Sequence, residues 1–218
     1  RYWKADYSKT IDISYPDACA ELGRLVRNAV ADRLISDVPL GVFLSGGMDS
    51  TIIAGLAAEA VDGPLKCYSI GFNEKDYDER AYAEENAALV RTFAKHGFEH
   101  HIRVVEPCDS GLLEMLVSEF GEPYADASMI PTCLLSRFAR EQVTVALSGD
   151  GADEVFCGYE RYLAMRWLGC FDFLPSAVRR VFFGLMSDSI PLRGNERGAA
   201  ARVKRFLKGA SLSGAERY

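Results

Sequence analysis

The stretch Pro39-Leu-Gly-Val-Phe-Leu-Ser-Gly-Gly-Met-Asp-Ser-Thr51 decides the fold of this chain. Its apolar residues 41–44 predict a buried strand, because β-branched and aromatic side chains follow one another there. Ser45-Gly46-Gly47 ends the strand, and residues 50–61 have the pattern of a helix that Asp-Gly-Pro closes. A strand, a glycine-rich turn and a helix N-terminus in succession make an anion site, since backbone N–H groups and the helix dipole point into the turn. We therefore predict that this loop binds a phosphate chain.

The loop is neither a Walker A motif nor a nucleophile elbow. No lysine lies between Lys9 and Lys66, so the Gly-Lys-Ser/Thr of a Walker A motif is absent. The residue two before Ser45 is Phe43, where a nucleophile elbow has glycine. The alternative is a tight turn whose glycines only relieve steric crowding, but such a turn needs no acid such as Asp49 beside two hydroxyls. The residue types favour phosphate binding.

Strand and helix patterns alternate along the chain up to residue 147. Strands are predicted at residues 66–72, 99–105 and 143–147, and helices at residues 17–35 (capped by Asp17), 78–94, 107–120 and 130–141. Alternating elements with short connections predict a doubly wound α/β fold, in which helices cover both faces of a parallel sheet. Ligands of such sheets bind beyond the carboxyl ends of the strands, where residues 45–47 lie.

After Tyr159 the strand patterns stop and only helices are predicted, at residues 160–170, 175–186 and 199–207. We divide the chain into a lead-in segment at residues 1–16, an α/β domain at residues 17–165 and a helical extension at residues 166–218. The extension is expected to be truncated at Tyr218.

A second loop of the same kind follows the last predicted strand. In Leu147-Ser-Gly-Asp-Gly-Ala-Asp-Glu-Val-Phe-Cys-Gly-Tyr159, Ser148-Gly149 ends the strand and a cluster of acids follows: Asp150, Asp153 and Glu154. The acids could simply cap a helix N-terminus. However, two acid-bearing glycine loops at the ends of parallel strands can hold one Mg²⁺ together with phosphate oxygens, since magnesium prefers a few carboxylates plus substrate phosphates.

Composition narrows the class of protein. The net charge of −6 argues against general binding to nucleic acid. No apolar run approaches the ~20 residues of a membrane helix, and no signal peptide is evident. Six cysteines are scattered without a Cys-x-x-Cys pair, mostly in apolar contexts. They predict reduced, buried thiols and a cytoplasmic protein.

The three histidines, His96, His100 and His101, do not predict a zinc site. Gly97 separates the first from the others, and alternation along a strand puts His100 and His101 on opposite faces. We interpret all three as structural residues.

Four segments resemble the synthetase domain of the glutamine-hydrolysing asparagine synthetases, members of the ATP pyrophosphatase (PP-loop) family. They are residues 39–51, residues 69–79, the pair His100-His101 and residues 122–159. The resemblance implies an adenine nucleotide alpha hydrolase-like fold with ATP as substrate and Mg²⁺ as cofactor. It also implies that an aspartate β-carboxylate attacks ATP to give β-aspartyl-AMP and pyrophosphate, and that ammonia then displaces AMP to give asparagine.

The resemblance also implies roles for individual residues. Phe43 and Ile70 would line the adenine pocket, and Ser148 and Gly149 would contact the nucleotide. Pyrophosphate would be held by the first loop, through Ser45, Gly46, Gly47, Asp49 and Ser50. Asp49 and Asp153 would bind magnesium, while Asp150 and Glu154 are the candidate catalytic acids. Cys157 occupies a position that is often glycine in the family, and we expect little chemical consequence.

Two parts of the family pattern are absent from this sequence. They are the N-terminal glutaminase domain, which would be the partner that supplies ammonia, and a catalytic lysine that the resemblance implies beyond Tyr218. We therefore expect an excised domain that binds ATP better than it turns it over, and a homodimer is left open.

Three other functions compete with this interpretation. The protein could be a related amidotransferase that acts on another carboxylate, for example of a cell-surface polysaccharide or a β-lactam precursor, because the loops recognise ATP and not the acceptor. It could be a nucleotide-binding module without catalysis, although Asp49, Asp150 and Asp153 argue against that. A tRNA- or base-modifying pyrophosphatase is disfavoured by the acidic charge and by the match at the second loop.

Overall fold

The computed structural model describes residues 4, 6, 8, 10–74, 78–105, 110–122, 126–191, 198–212 and 216. The chain forms two compact units, Arg1–Asp150 and Gly151–Tyr218. The predicted division into residues 1–16, 17–165 and 166–218 stays a prediction.

The first unit contains a four-stranded parallel sheet. Its strands are β1 (Leu40–Phe43), β2 (Leu65–Phe72), β3 (Phe98–Val105) and β4 (Val145–Leu147). Their order is β3-β2-β1-β4, and every neighbouring pair is parallel. The chain therefore runs outward from β1 through β2 to β3 and then returns to place β4 on the other side of β1. That reversal confirms the predicted doubly wound α/β fold and puts the topological switch point between β1 and β4.

Helices cover both faces of this sheet. They are α1 (Tyr15–Arg33), α2 (Met48–Ala60), α3 (Arg80–Arg91), α4 (Ser110–Phe120) and α5 (Met129–Arg140). Because successive strand residues point to opposite faces, Val42 and Cys67 pack with side chains from α1, α2 and α3. Their neighbours Phe43 and Tyr68 pack with Phe138 of α5 on the other face. Two apolar layers thus sandwich the strands.

The N-cap of helix α1 lies three residues before the predicted cap. Ser14 is the N-cap: its Oγ accepts a hydrogen bond from the Asp17 N–H (3.3 Å) and donates one to Asp17 Oδ2 (2.6 Å). The prediction of Asp17 as the cap is therefore wrong. Pro16 fits within the first turn because an N–H at that position has no partner in the helix anyway.

The other predicted elements of the first unit agree with the structure to within three residues. Strand β4 is shorter than the predicted residues 143–147, because the N–H groups of Thr144 and Val145 both donate to the Pro39 carbonyl at 2.8 and 3.3 Å. The predicted helix start at residues 107–109 lies outside the described residues.

The second unit is helical, as predicted for the extension. It contains α6 (Ala152–Phe156), α7 (Glu160–Gly169), α8 (Ser176–Asp188) and α9 (Ala199–Ser211). Leu168, Phe183, Leu207 and Ala210 form its core. A groove of about 620 Å³ lies along α7 and α9. Within the described ranges, no helix is both long enough and apolar enough to cross a membrane.

Fewer of the described cysteines are buried than predicted, and all of these are free. Of the five described cysteines, Cys67 is buried and Cys133 is partly buried. Cys19, Cys157 and Cys170 are exposed. The prediction of burial is wrong for these three: Cys19 lies on the outer face of α1, and Cys157 and Cys170 follow the last residues of α6 and α7.

Candidate functional site

The first glycine-rich loop lies at the topological switch point of the sheet. It leaves β1, the strand that has β2 and β3 on one side and β4 on the other. The loop after β4 starts beside it, since Val42 pairs with Leu147 one residue before Ser148. In doubly wound sheets ligands bind at this point. The strand order thus brings the two predicted loops together at residues 45–50 and 148–150.

The hydroxyls and backbone of the first loop form a closed ring of hydrogen bonds. The Gly47 N–H donates to Ser45 Oγ (3.1 Å), and the two serine hydroxyls lie 2.8 Å apart. Ser50 Oγ donates to the Gly47 carbonyl (3.1 Å) and accepts from the Ser45 N–H (3.1 Å). Because Ser50 has one proton, Ser45 must be the donor between the hydroxyls. The ring fixes the curvature of the loop.

Helix α2 begins directly after this loop. Its N-cap is Gly47, which has no side chain to satisfy the N–H groups of the first turn. Asp49 is partly buried in that turn and is the only carboxylate among residues 45–51. Free N–H groups, the positive end of the helix dipole and one carboxylate suit an anion that arrives with a cation.

Gly149 brings the second loop against the first turn of α2. A Cβ at this position would lie 2.7 Å from the Ser50 nitrogen and 2.9 Å from the Asp49 carbonyl carbon. Those atoms belong to the backbone and cannot move aside. Glycine is therefore required here for the close approach of the two loops. Beside it, Ser148 Oγ donates to Asp150 Oδ2 at 2.9 Å, which fixes the exposed Asp150 carboxylate.

The two residues predicted to line an adenine pocket lie on one face of the sheet. Phe43 and Ile70 are both partly buried and pack against the cluster of Tyr68, Phe138, Ala139 and Val143. Each therefore keeps some accessible surface at the carboxyl end of its strand.

The remaining predicted acids belong to the second unit. Glu154 Oε1 accepts a 2.5 Å hydrogen bond from the Tyr159 hydroxyl. This bond lowers the pKa of Glu154 and raises the pKa of Tyr159 to about 12. Asp153 lies against Gly158, where a Cβ would collide with its carboxylate. Sequence reasoning missed both of these neighbours.

Cys157 has a conformational consequence that we did not expect. Its φ of 57° is in the left-handed region, where residues other than glycine are uncommon. The side chain itself is exposed, so the consequence is strain in the backbone at the end of α6.

The residues of the first unit fit a hard cation shared with phosphate oxygens. Among the described residues, no group of three or more His, Cys, Asp or Glu side chains could hold a metal ion by itself. Asp49 alone, next to hydroxyls and helix N–H groups, suits Mg²⁺, which usually keeps only one or two carboxylate ligands and takes the rest from substrate and water.

The family model of the asparagine synthases matches residues 21–215. The chain belongs to the asparagine synthase family. Glutamine-hydrolysing asparagine synthetases 1 and 3 of Bacillus subtilis are each 33% identical to it, over 97% and 87% of this chain. An amidase from Penicillium rubens is 29% identical over 70% of the chain. The chain spans about a third of the length of these asparagine synthetases, 33% and 32%, and 26% of the amidase.

Two side chains of α3 that lie against the first loop of this asparagine synthase domain were not predicted from the sequence. The Asn86 amide donates to the Ser45 carbonyl at 3.1 Å. A Cβ on Gly46 would lie 2.7 Å from Tyr82 Cβ, so α3 lies directly against the loop. One signal was present: Asn86 interrupts the stripe of buried residues Ala83, Ala87 and Val90 on α3.

His100 and His101 lie on opposite faces of β3, as predicted. His100 Nε2 is 2.8 Å from Ser69 Oγ, whereas His101 stacks on Tyr68 with ring centroids 5.2 Å apart. Burial lowers the pKa of His100, and the nearby carboxylate of Glu84 opposes this only in part.

This shift predicts how the stability of the domain depends on pH. The unfolded state binds a proton at His100 near pH 6.5, whereas the folded state binds it only at lower pH. The unfolded state therefore gains protons first as the pH falls, so this contribution to stability is present above about pH 6.5 and is lost below it. Between about pH 7.5 and pH 5.5, the free energy of unfolding measured by urea denaturation should fall further for the wild type than for His100→Gln. An equal fall in the free energy of unfolding in both proteins would show that His100 does not cause this pH dependence.

Proposed function

We propose that this chain is the ATP-dependent, amide-forming part of a glutamine-hydrolysing asparagine synthetase. In the proposed reaction a β-carboxylate oxygen of aspartate attacks the α-phosphorus of ATP, and the bond to the pyrophosphate oxygen breaks. Ammonia then attacks the acyl carbon of β-aspartyl-AMP, a C–N bond forms and AMP leaves. The observation that carries this proposal is the glycine- and hydroxyl-lined loop at the switch point, in a chain of this family.

The first loop is proposed to bind the departing pyrophosphate. The Gly46 N–H and the first N–H groups of α2 would donate to phosphate oxygens, and Gly46 and Gly47 would allow close approach. The hydroxyls of Ser45 and Ser50 would donate as well once they exchange their hydrogen bonds within the loop for bonds to phosphate. Bound Mg²⁺ would neutralise phosphate charge, and Asp49 and Asp153 are the proposed ligands.

The other proposed roles concern the nucleotide and the reacting groups. Phe43 and Ile70 would contact the adenine, and Ser148 and Gly149 would contact the nucleotide through hydroxyl and backbone. The proposed catalytic acids are Asp150 and Glu154. Asp150 is held by Ser148, so its position is defined before the substrate arrives.

The partner and the ammonia source are part of the same proposal. The Bacillus subtilis relatives carry glutamine hydrolysis in their names, which supports a glutaminase domain as the source of ammonia. We propose a cytoplasmic enzyme with small-molecule substrates, and we leave the homodimer as an untested proposal.

A second candidate keeps the adenylation and changes the acceptor. The similarity to an amidase from Penicillium rubens favours it, since the two loops contain no feature that selects aspartate. A nucleotide-binding module without turnover is the remaining candidate.

Isotope transfer with the protein, ATP, Mg²⁺ and ammonium separates these candidates. Aspartate labelled with ¹⁸O in its β-carboxylate should pass one ¹⁸O to AMP, because the attacking oxygen leaves with the phosphate. Unlabelled AMP together with pyrophosphate would exclude the acyl-adenylate. Labelled AMP from another labelled acid, but not from aspartate, would establish the second candidate. ATP binding without any AMP, when the same experiment is made with the intact parent protein, would establish the module.

A further inference from the structure

Two consecutive backbone carbonyls at the end of β1 accept hydrogen bonds from side chains outside the first loop. The Leu44 carbonyl accepts from Ser69 Oγ on β2 at 2.5 Å. The Ser45 carbonyl accepts from Asn86 Nδ2 on α3 at 3.1 Å. These donors lie 25 and 41 residues further along the chain. Two different elements therefore hold the start of the loop.

These bonds determine where the next two N–H groups point. In a trans peptide the C=O and the following N–H point in opposite directions. With the Leu44 carbonyl directed at Ser69, the Ser45 N–H points into the loop, where it donates to Ser50 Oγ (3.1 Å). With the Ser45 carbonyl directed at Asn86, the Gly46 N–H must point away from α3.

Ser69 is itself oriented by His100. The Ser69 hydroxyl has one proton, which it donates to the Leu44 carbonyl, so towards His100 it can only accept. His100 Nε2 lies 2.8 Å away and must therefore carry a hydrogen in this structure. Ser69 is fully buried, and His100 is partly buried, so water does not compete freely for these bonds.

The glycines make such support necessary. Gly46 and Gly47 allow the backbone to approach a phosphate, but they also let the peptides of the loop rotate at little cost. Rotation of the peptide between Ser45 and Gly46 would turn a carbonyl oxygen towards the bound anion. An acceptor facing phosphate oxygens repels them, whereas a donor binds them.

We propose that Asn86 and Ser69, the latter oriented by His100, are positioning residues of the first loop: Ser69 keeps the Ser45 N–H on Ser50, and Asn86 keeps the Gly46 N–H directed at the pyrophosphate of ATP. This inference rests on the proposed function of that loop. None of the three side chains is required to touch the substrate, because each acts through a backbone carbonyl.

Calorimetric titration with magnesium pyrophosphate is the test of affinity. Asn86→Leu and Ser69→Ala should each weaken binding by about tenfold, the effect of one hydrogen bond. Asn86→Asp should weaken it further, because a carboxylate oxygen would then face the Ser45 carbonyl. Ala88→Leu and Ala88→Asp, at an exposed position of the same helix, are the matched controls and should bind like the wild type.

A rescue variant separates positioning from general damage to the fold. His100→Gln keeps an N–H donor at similar reach and should bind magnesium pyrophosphate like the wild type. His100→Leu removes the donor and should bind as weakly as Ser69→Ala. If both His100 variants bind equally, the orienting role of His100 is wrong.

The orientation of the peptide can be observed directly by NMR. Labelling serine with ¹³C at the carbonyl and glycine with ¹⁵N selects the glycines that follow serine, which are Gly46, Gly111, Gly149 and Gly214. Asn86→Leu should shift the Ser45 carbonyl and Gly46 amide signals, and Ala88→Leu should leave them in place. Unchanged signals would overturn the proposal.

The outcomes also distinguish this inference from the proposed function. A wild-type protein that binds neither magnesium pyrophosphate nor Mg·ATP would overturn the proposed function. If the wild type binds and Asn86→Leu and Ser69→Ala bind with the same affinity as the wild type, only the positioning role is overturned. The proposed function of the loop is then unaffected.

Discussion

Asp49→Asn should reduce the affinity for Mg·ATP by about 100-fold or more, given that loss of an outer-sphere partner alone costs 10–100-fold in metal affinity. Asp49 is the only carboxylate in the first loop and lies in the first turn of α2. Asparagine has nearly the same shape, so the loop should keep its conformation and lose only the charge that attracts the cation. The folded state should lose ~0.3–1 kcal/mol at most, the value of an acid at a helix N-terminus.

The same variant should behave in the opposite way without magnesium. Metal-free ATP carries no cation for Asp49 to bind, and the carboxylate then only repels the phosphates. Asp49→Asn should therefore bind ATP in EDTA at least as well as the wild type does. This reversal separates loss of a metal ligand from damage to the loop, which would weaken binding under both conditions.

Two control variants complete this experiment. Asp62→Asn makes the same change at an exposed residue just after the other end of α2, and it should leave Mg·ATP affinity unchanged. Lys204→Ala removes a side chain that donates to the Ile190 carbonyl in the second unit, and it should also have little effect. If Asp49→Asn binds as these controls do, the first loop has no part in the mechanism.

Gly149→Ala should both destabilise the first unit and weaken ATP binding. The added Cβ would lie 2.7 Å from the Ser50 nitrogen and 3.1 Å from Asp49 Cβ. Relief requires α2 or the second loop to shift, and overpacking of this kind costs ~1–3 kcal/mol. The shift would also move the N–H groups of α2 that are proposed to contact phosphate. Urea denaturation and calorimetric titration measure the two effects.

The matched control is Gly23→Ala in the middle of α1. No atom lies within 4 Å of a Cβ at that position. Alanine should there raise the free energy of unfolding by ~0.5–1 kcal/mol, because glycine is the poorer helix former. A Gly149→Ala protein as stable as the wild type would show that the two loops do not pack as described.

Patterns within one segment predicted the α/β fold and the location of the loops. The apolar run before Ser45 and the glycines after it are neighbours in sequence, so their meaning as a strand end could be inferred locally. The order of the strands was not predicted, although parallel strands joined by helices leave few possible topologies. Helix ends were harder to predict from the sequence. Both Ser14 and Asp17 suit the N-cap of α1, and only the geometry around Pro16 decides between them.

Contacts between distant segments could not be inferred in the same way. Asn86 meets Ser45 across 41 residues, and no spacing rule connects a helix residue to that carbonyl. Gly149 was expected to contact nucleotide, but its packing against Ser50 depends on how closely β1 and β4 approach. Both contacts depend on tertiary packing, which hydrophobic periodicity within one segment does not predict. The exposure of Cys19 has the same cause.

The pairing of β4 with β1 also sets the time at which the site can form. Leu40 pairs with Val145, so more than a hundred residues must be synthesised between the two partners. A growing chain that already contains α1, α2 and the first three strands has the first loop, but it lacks the second loop that packs against it. Nucleotide affinity should therefore appear late in synthesis, and ligand should stabilise only chains that have closed this pair.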